Sequence, residues 1–301
     1  MSVEKGGDLN KEWVVCGDGR GSTELLAALC GCLRIVAFRH FGHRSEIGDD
    51  LREFCEAKRI AVLGSEDSLI EAGGEFGLLH SYPKILSQAE CEELKVLNVH
   101  PSLLPRYRGL HSLVWALIND EPEVGYSVHE VVPGIDAGNI VFQGSFHVQD
   151  SDDINSLRRR MFEHQVENLG RVLLAYERGE IEPQLQDQLK ATYVGRRREE
   201  DSRIIWSLTA REVFNFVRAL KPPYTAGAYS RVEKQTVHIT DVEWTPVHGN
   251  QGVVGAVSET LDDGSILVNC ADGPLRVTEV RIDGMVSIPG EAVCGSKGKF
   301  W

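Results

Sequence analysis

At 301 residues, with 42% hydrophobic and 26% charged side chains, the chain has enough apolar material for two cores, and its composition excludes disorder, collagen and coiled coil. A formal charge of -13 argues against a large nucleic-acid partner, because that affinity comes from Lys and Arg displacing counterions from phosphates, although one local basic pocket remains compatible with it. Seven cysteines, an odd number with no CxxC pair, fit reduced thiols in the cytoplasm, and the polar start MSVEKGGDLNKEW and the lack of a long apolar segment predict neither export through a signal peptide nor a membrane span.

Trp13 to Cys16 reads as a buried strand, Gly17 to Ser22 as a tight turn and Thr23 to Leu33 as a helix. Within that helix Cys30 and Cys32 flank Gly31 in the apolar run LLAALCGCLRIVAF, where small core side chains explain them better than a redox or metal pair. Ile35 to Phe38 gives a second strand, Gly42 to Lys58 a helix, and Ile60 to Leu63 a third strand. Gly77 to Ser81 and Val96 to His100 continue the alternation, which predicts an α/β fold with a Rossmann-like parallel sheet. Ligands of such sheets bind beyond the carboxyl ends of the strands, where Asn98 and His100 fall.

Residues 111–119 read as a helix, Gly125 to Val131 and Ile140 to Phe142 as strands, and Pro133 to Gly138 as the turn between them, which puts Asp136 in a glycine-flanked loop. Residues 153–178 carry apolar positions at helical spacing, and the polar stretch Gly179 to Asp201 reads as a surface linker. A helix over Thr209 to Leu220 stops at Pro222-Pro223, and short strands at Thr236 to Ile239, Ile266 to Val268 and Leu275 to Val277 predict a small C-terminal β-barrel of OB-like type. The expected division is a catalytic domain over 1–190, a linker over 191–205 and the barrel-like domain over 206–301.

The densest chemical signal is the run Asn98 to Gly109, NVHPSLLPRYRG. Strand side chains alternate with period two, so Asn98 and His100 project to the same side and either serve the core or aim at one ligand atom. Gly17-Asp18-Gly19-Arg20-Gly21 has GxGxG rather than GxGxxG spacing and reads as a strand-to-helix turn. His40, His43, His111, His129 and His147 lack metal-ligand spacing, and no metal is expected.

NVHPSLLPRYRG together with VVPGIDAGNIV resembles the folate-dependent formyltransferase family, which includes methionyl-tRNA formyltransferase and the sugar N-formyltransferases. The resemblance extends through Tyr193 to Arg197, Asp201 to Trp206, Val217 to Ala219 with Pro222-Pro223-Tyr224, and Val268 to Val280. It implies 10-formyltetrahydrofolate as formyl donor and Asn98, His100 and Asp136 as a catalytic triad. Moving a formyl group to an amine needs a donor to the forming oxyanion and a group that takes the amine proton, which suit Asn98 and a carboxylate-supported His100. The resemblance also implies folate contacts from Tyr82, Lys84, Ile85, Leu86, Ser102, Leu104, Gly134, Ile135 and Asp136. It places Arg20, Arg108, Arg196 and Arg197 toward the acceptor, since guanidinium forks match phosphate oxygens. Lys84 reads equally as a solvated surface lysine, and three consecutive arginines such as Arg196 to Arg198 in a linker are usually a solvated charge run.

The pattern GRRxxxDSxIxW at Gly195 to Trp206 is nearer to the enzymes that formylate nucleotide-linked amino sugars, and such an amine is the expected small-molecule acceptor. The branch acting on methionyl-tRNA carries an insertion after its SLLP motif, for which the direct run RYRGLHSLVWAL leaves no room. An N-hydroxyornithine-type acceptor of siderophore assembly, methionyl-tRNA, and a non-catalytic folate- or nucleotide-binding protein are the alternatives. A cytoplasmic homodimer is the expected assembly, without a nucleic-acid or membrane partner.

Overall fold

Four consecutive apolar residues, Trp13 to Cys16, are each at most 1% exposed and form the middle of β1 (Glu12–Gly17) in a computed structural model of the chain. The structure describes residues 11–19, 21–232, 235–244 and 252–292. A strand apolar on both faces belongs inside a sheet covered on both sides, and β1 pairs in parallel with strands to its left and right. In chain order there follow α1 (Ser22–Leu29), β2 (Arg34–His40), α2 (Asp49–Lys58), β3 (Ala61–Leu63), β4 (Phe76–His80), α3 (Gln88–Glu93) and β5 (Lys95–His100). Next come β6 (Arg108–Gly109), α4 (Ser112–Ile118), β7 (Glu123–Glu130), β8 (Ile140–His147), α5 (Ile154–Glu177) and β9 (Tyr193–Val194).

Seven strands form one sheet in the order β3-β2-β1-β4-β5-β7-β8. The pairings from β3 through β5 are parallel, but β7 runs antiparallel to β5 and sets Asn98 opposite His129 and His100 opposite Ser127. The parallel sheet expected from sequence therefore ends in a reversed edge, because only pairing direction, which alternation does not encode, tells the two apart. The helix expected over Gly42 to Lys58 is two pieces, a 3-10 turn at Arg44–Glu46 and then α2, since Gly48 and Ile47 adopt extended backbone between them. α1 stops at Leu29 rather than Leu33, and residues 30–33 continue as tight turns closed by Gly31 N–H to the Ala28 carbonyl.

Inside the first unit, a buried ion pair joins the end of β2 to the start of α3. Arg39 Nη1 lies 2.6 Å from Glu90 Oε1, and Glu90 also closes a capping box with Ser87. Burial is the largest single influence on the Glu90 carboxyl and pushes it up, but the hydrogen bonds from Ser87, the Arg39 guanidinium and the Leu69 amide together hold it below the usual range. Glu90→Ala is expected to lower unfolding free energy by about 3–5 kcal/mol, because it strands the Arg39 charge in the interior; urea titration measures this.

The second unit is built on α6 (Ala210–Ala219), capped by Thr209 and Glu212 in a capping box, and on six antiparallel strands. These are β10 (Ala228–Val232), β11 (Gln235–Glu243), β12 (Val257–Thr260), β13 (Ile266–Asn269), β14 (Pro274–Ile282) and β15 (Met285–Ser287). Their order is β10-β11-β14-β13-β12, with β15 also on β14, and the three short strands expected from sequence lie within β11, β13 and β14.

The chain divides into units that interleave in sequence. One takes residues 1–108, 125–145 and 160–193, the other 109–124, 146–159 and 194–301. Residues 109–124 and 146–159, expected in the first domain, thus group with the second, where α4 packs on α6. Among the described residues no helix is long and apolar enough to cross a membrane.

Candidate active site

The carboxyl end of β5 carries Asn98, half-buried, and His100, 4% exposed. Beyond it, residues 101–111 loop back to α4, and the Tyr107 carbonyl lies 2.9 Å from His100 Nε2. A carbonyl only accepts, so His100 donates through Nε2, and the lone pair of the neutral ring sits on Nδ1. That nitrogen faces Asp136 Oδ2 at 3.5 Å. Burial pushes the His100 pKa below its ordinary value, and the neighbouring Asp136 carboxylate partly offsets the push. The ring is therefore neutral at pH 7 and holds a basic nitrogen against a carboxylate.

Asp136 reaches this position from the loop between β7 and β8. Its backbone is left-handed, with φ of 47°, a region that Asp tolerates better than most residues, and Gly134 two positions earlier has φ of 115°. The other carboxylate oxygen, Oδ1, lies 3.4 Å from Nε2 of His129. His129 donates from Nδ1 to the Glu130 carbonyl at 2.8 Å, which leaves Nε2 to accept from the Asn98 amide nitrogen at 3.1 Å. One carboxylate thus lies between two imidazoles, and the second imidazole orients the asparagine. The Asn98 amide nitrogen has two hydrogens, so one is engaged by His129 and one remains for a developing oxyanion.

Sequence reasoning missed His129, which it considered only as a metal ligand. Its signal was positional: it stands in an alternating strand, but its register against Asn98 appears only when β7 pairs with β5.

The residues expected at the folate divide into two groups. Ser102 is buried, donates to the Arg106 carbonyl at 2.7 Å and receives at its own carbonyl the Ser127 hydroxyl, while the Leu104 N–H donates to Ser127 Oγ. Their side chains and backbone therefore hold the loop to β7. Leu86 is buried in the core cluster formed with Val14, Leu69 and Val96, and Tyr82 packs against that cluster. Lys84 and Ile85 are exposed, as are Gly134 and Ile135, so the open surface these residues offer is backbone, two isoleucine side chains and one lysine ammonium.

Of the four arginines expected at the acceptor, Arg108 requires correction. It is fully buried, donates from Nε and Nη2 to Gln186 Oε1 at 3.1 and 2.6 Å, and donates from Nη1 to Gln188 and to the Tyr193 hydroxyl. A guanidinium so engaged braces its loop and presents no fork to a ligand. Arg20 lies outside the described residues. Arg196 is exposed, and Arg197 is half-buried in the second unit, its guanidinium 4.8 Å from the Trp115 ring and 5.3 Å from the Phe216 ring.

The polar segment after α5 is not a surface linker along its whole length. Gln184 exchanges both backbone hydrogen bonds with Ile140, Gln186 is 3% exposed, and Thr192 accepts the Tyr107 and Arg108 amides. Polar composition reads as solvated, whereas here the polar groups saturate the carbonyls and amides of buried loops.

Two family models match the chain. A formyl transferase model covers residues 56–173, and a formyl transferase C-terminal domain model covers residues 197–297. The methionyl-tRNA formyltransferase of Fusobacterium nucleatum is 31% identical over 257 residues, 82% of each chain. An N-formyltransferase from Helicobacter canadensis, solved in complex with folinic acid and dTDP-3-aminofucose, shares the fold with a TM-score of 0.67 at 17% identity, over 88% of this chain and 98% of that one. HypX from Aquifex aeolicus matches with a TM-score of 0.63 at 19% identity, over 95% of this chain and 49% of that longer one.

Proposed function

The chain belongs to the formyl transferase family and is a folate-dependent transferase of one-carbon groups, and from that premise we propose that it formylates the amine of a nucleotide-linked amino sugar. The reaction rests on one observation, the convergence of Asn98, His100, His129 and Asp136 at the end of β5. The acceptor amine attacks the formyl carbon of 10-formyltetrahydrofolate and a C–N bond forms. The formyl oxygen gains negative charge, which the remaining Asn98 N–H stabilises. The amine then gives its proton to the His100–Asp136 pair, the bond from carbon to the folate nitrogen breaks, and that nitrogen takes a proton as tetrahydrofolate leaves. Holding His100 neutral through burial keeps its basic nitrogen available at pH 7.

The acceptor reading is supported by charge and by chain length. A formal charge of -13 opposes docking of an acceptor stem, and residues 101–111 run from β5 to α4 without an added segment. The exposed Arg196 beside the anchored Arg197 suits one pyrophosphate. The likeness to the Fusobacterium nucleatum enzyme favours a second reading, methionyl-tRNA as acceptor. The two separate in one assay. Purified protein with 10-formyltetrahydrofolate is expected to release tetrahydrofolate when dTDP- or UDP-linked amino sugars are added, and not with methionyl-tRNA; turnover with the tRNA alone would replace the first reading by the second.

A further inference from the structure

The two arms of the site, the loop after His100 and the loop that carries Asp136, are joined through a side chain that touches neither reacting group. Gln186 is 3% exposed and uses all four hydrogen-bonding positions of its amide. Its Oε1 accepts from Arg108 Nε at 3.1 Å and Nη2 at 2.6 Å. Its Nε2 donates to the Asp136 carbonyl at 2.8 Å and to the Gly138 carbonyl at 2.6 Å. The orientation of the amide is unambiguous, because one end faces only donors and the other only carbonyls.

Each side of this link continues to the chemistry. Arg108 follows Tyr107, whose carbonyl holds His100 in the tautomer that turns Nδ1 to the carboxylate. Asp136 has left-handed backbone, and its carbonyl is one of the two that Gln186 grips. The segment bearing Gln186 is itself pinned at both ends, by Gln184 to Ile140 on the Asp136 side and by Thr192 to Tyr107 and Arg108 on the His100 side. A loop held in a strained conformation relaxes unless its surroundings over-determine it, and here four backbone and side-chain links do so.

We propose that Gln186, clamped by Arg108, is a positioning residue for formyl transfer: it sets the Asp136 carboxylate against His100 by fixing the carbonyls of Asp136 and Gly138. The proposal rests on the reading of Asp136 and His100 as the proton-accepting pair. It gives Arg108 a role in the same clamp instead of at the acceptor.

The test is a double-mutant cycle with whichever of the two acceptors turns over in the assay above, measured in single turnovers from 10-formyltetrahydrofolate. Gln186→Met removes the donors, and Gln186→Glu keeps an acceptor for Arg108 while removing the donors to the two carbonyls; the second variant serves if the first does not fold. Either is expected to lower kcat by about 10- to 100-fold, the cost of a displacement near 1 Å, with KM for the folate within about twofold of wild type. In the Asp136→Asn background the same substitution is expected to cost less than about twofold more, because residues that act through one group are not additive. Equal fractional losses in both backgrounds, or a wild-type kcat in the folded single variants, overturn the clamp while leaving the site reading intact. A wild-type rate in Asp136→Asn alone overturns the site reading and the clamp with it.

Discussion

His100→Ala is expected to reduce kcat by about 10²–10⁴-fold while leaving the fold in place, the range for removing a positioned general base. His100 sits at the last residue of β5, so the substitution deletes a side chain at a strand end and leaves the backbone pairing with β7 untouched. A melting curve near that of the wild type, together with the rate loss, separates chemistry from unfolding. The pH profile carries a second signature. Burial holds the His100 pKa below its ordinary 6.5. The wild-type rate should therefore be flat at neutral pH and fall as pH drops through that depressed value, since protonation removes the base. Asp136 raises the His100 pKa, so Asp136→Asn should lower the plateau and move the acid limb to still lower pH. The same sign governs stability. A histidine whose folded pKa is depressed contributes stability above its unfolded pKa and loses it as pH falls through the folded one, and His80, buried and also depressed, adds to this acid sensitivity. A wild-type rate in His100→Ala, or an acid limb that stays in place in Asp136→Asn, would sink this account.

Gly138→Ala is expected to reach the same site through the backbone. A Cβ at Gly138 would lie 1.8 Å from the Glu130 carbonyl oxygen and 2.7 Å from its carbon, far inside contact distance and against main chain that cannot swing away. Glu130 is held from two sides, by Tyr176 on Oε1 and Asn139 on Oε2, and its carbonyl also accepts from His129. The strain therefore falls on the loop, which must lift and carry Asp136 with it. The expected result is a kcat loss of about 10²-fold for a displacement near 1 Å, with a stability loss of about 1–3 kcal/mol from overpacking. Steady-state rates and thermal unfolding measure the two effects. An unchanged kcat would show that the Asp136 position does not depend on the close approach of the loop to Glu130.

Much of the fold was legible because its signals are local. The apolar run at Trp13 to Cys16, the glycine turn after it and the helical spacing from Ile154 to Glu177 each report backbone geometry within a few residues. Period two put Asn98 and His100 on one side of a strand before any tertiary contact was known. The motif strings around them carried the family, and the family models match most of the chain. The reversed edge at β7 was not legible, because alternation is the same whether a strand pairs parallel or antiparallel.

By itself, then, the sequence determined the alternating elements, the strand that ends in Asn98 and His100, and the formyl transferase resemblance. Only the tertiary structure decided what surrounds that strand end. It brought Asp136 back across the sheet from a loop whose own residues say nothing of its destination, and it set His129 opposite Asn98 by register. It also buried Arg108 and Gln186, two polar side chains that composition assigns to solvent. The reason is physical: hydrogen-bond partners distant in sequence decide whether a polar group stays in water or fills a carbonyl in the interior, and local periodicity holds no record of them.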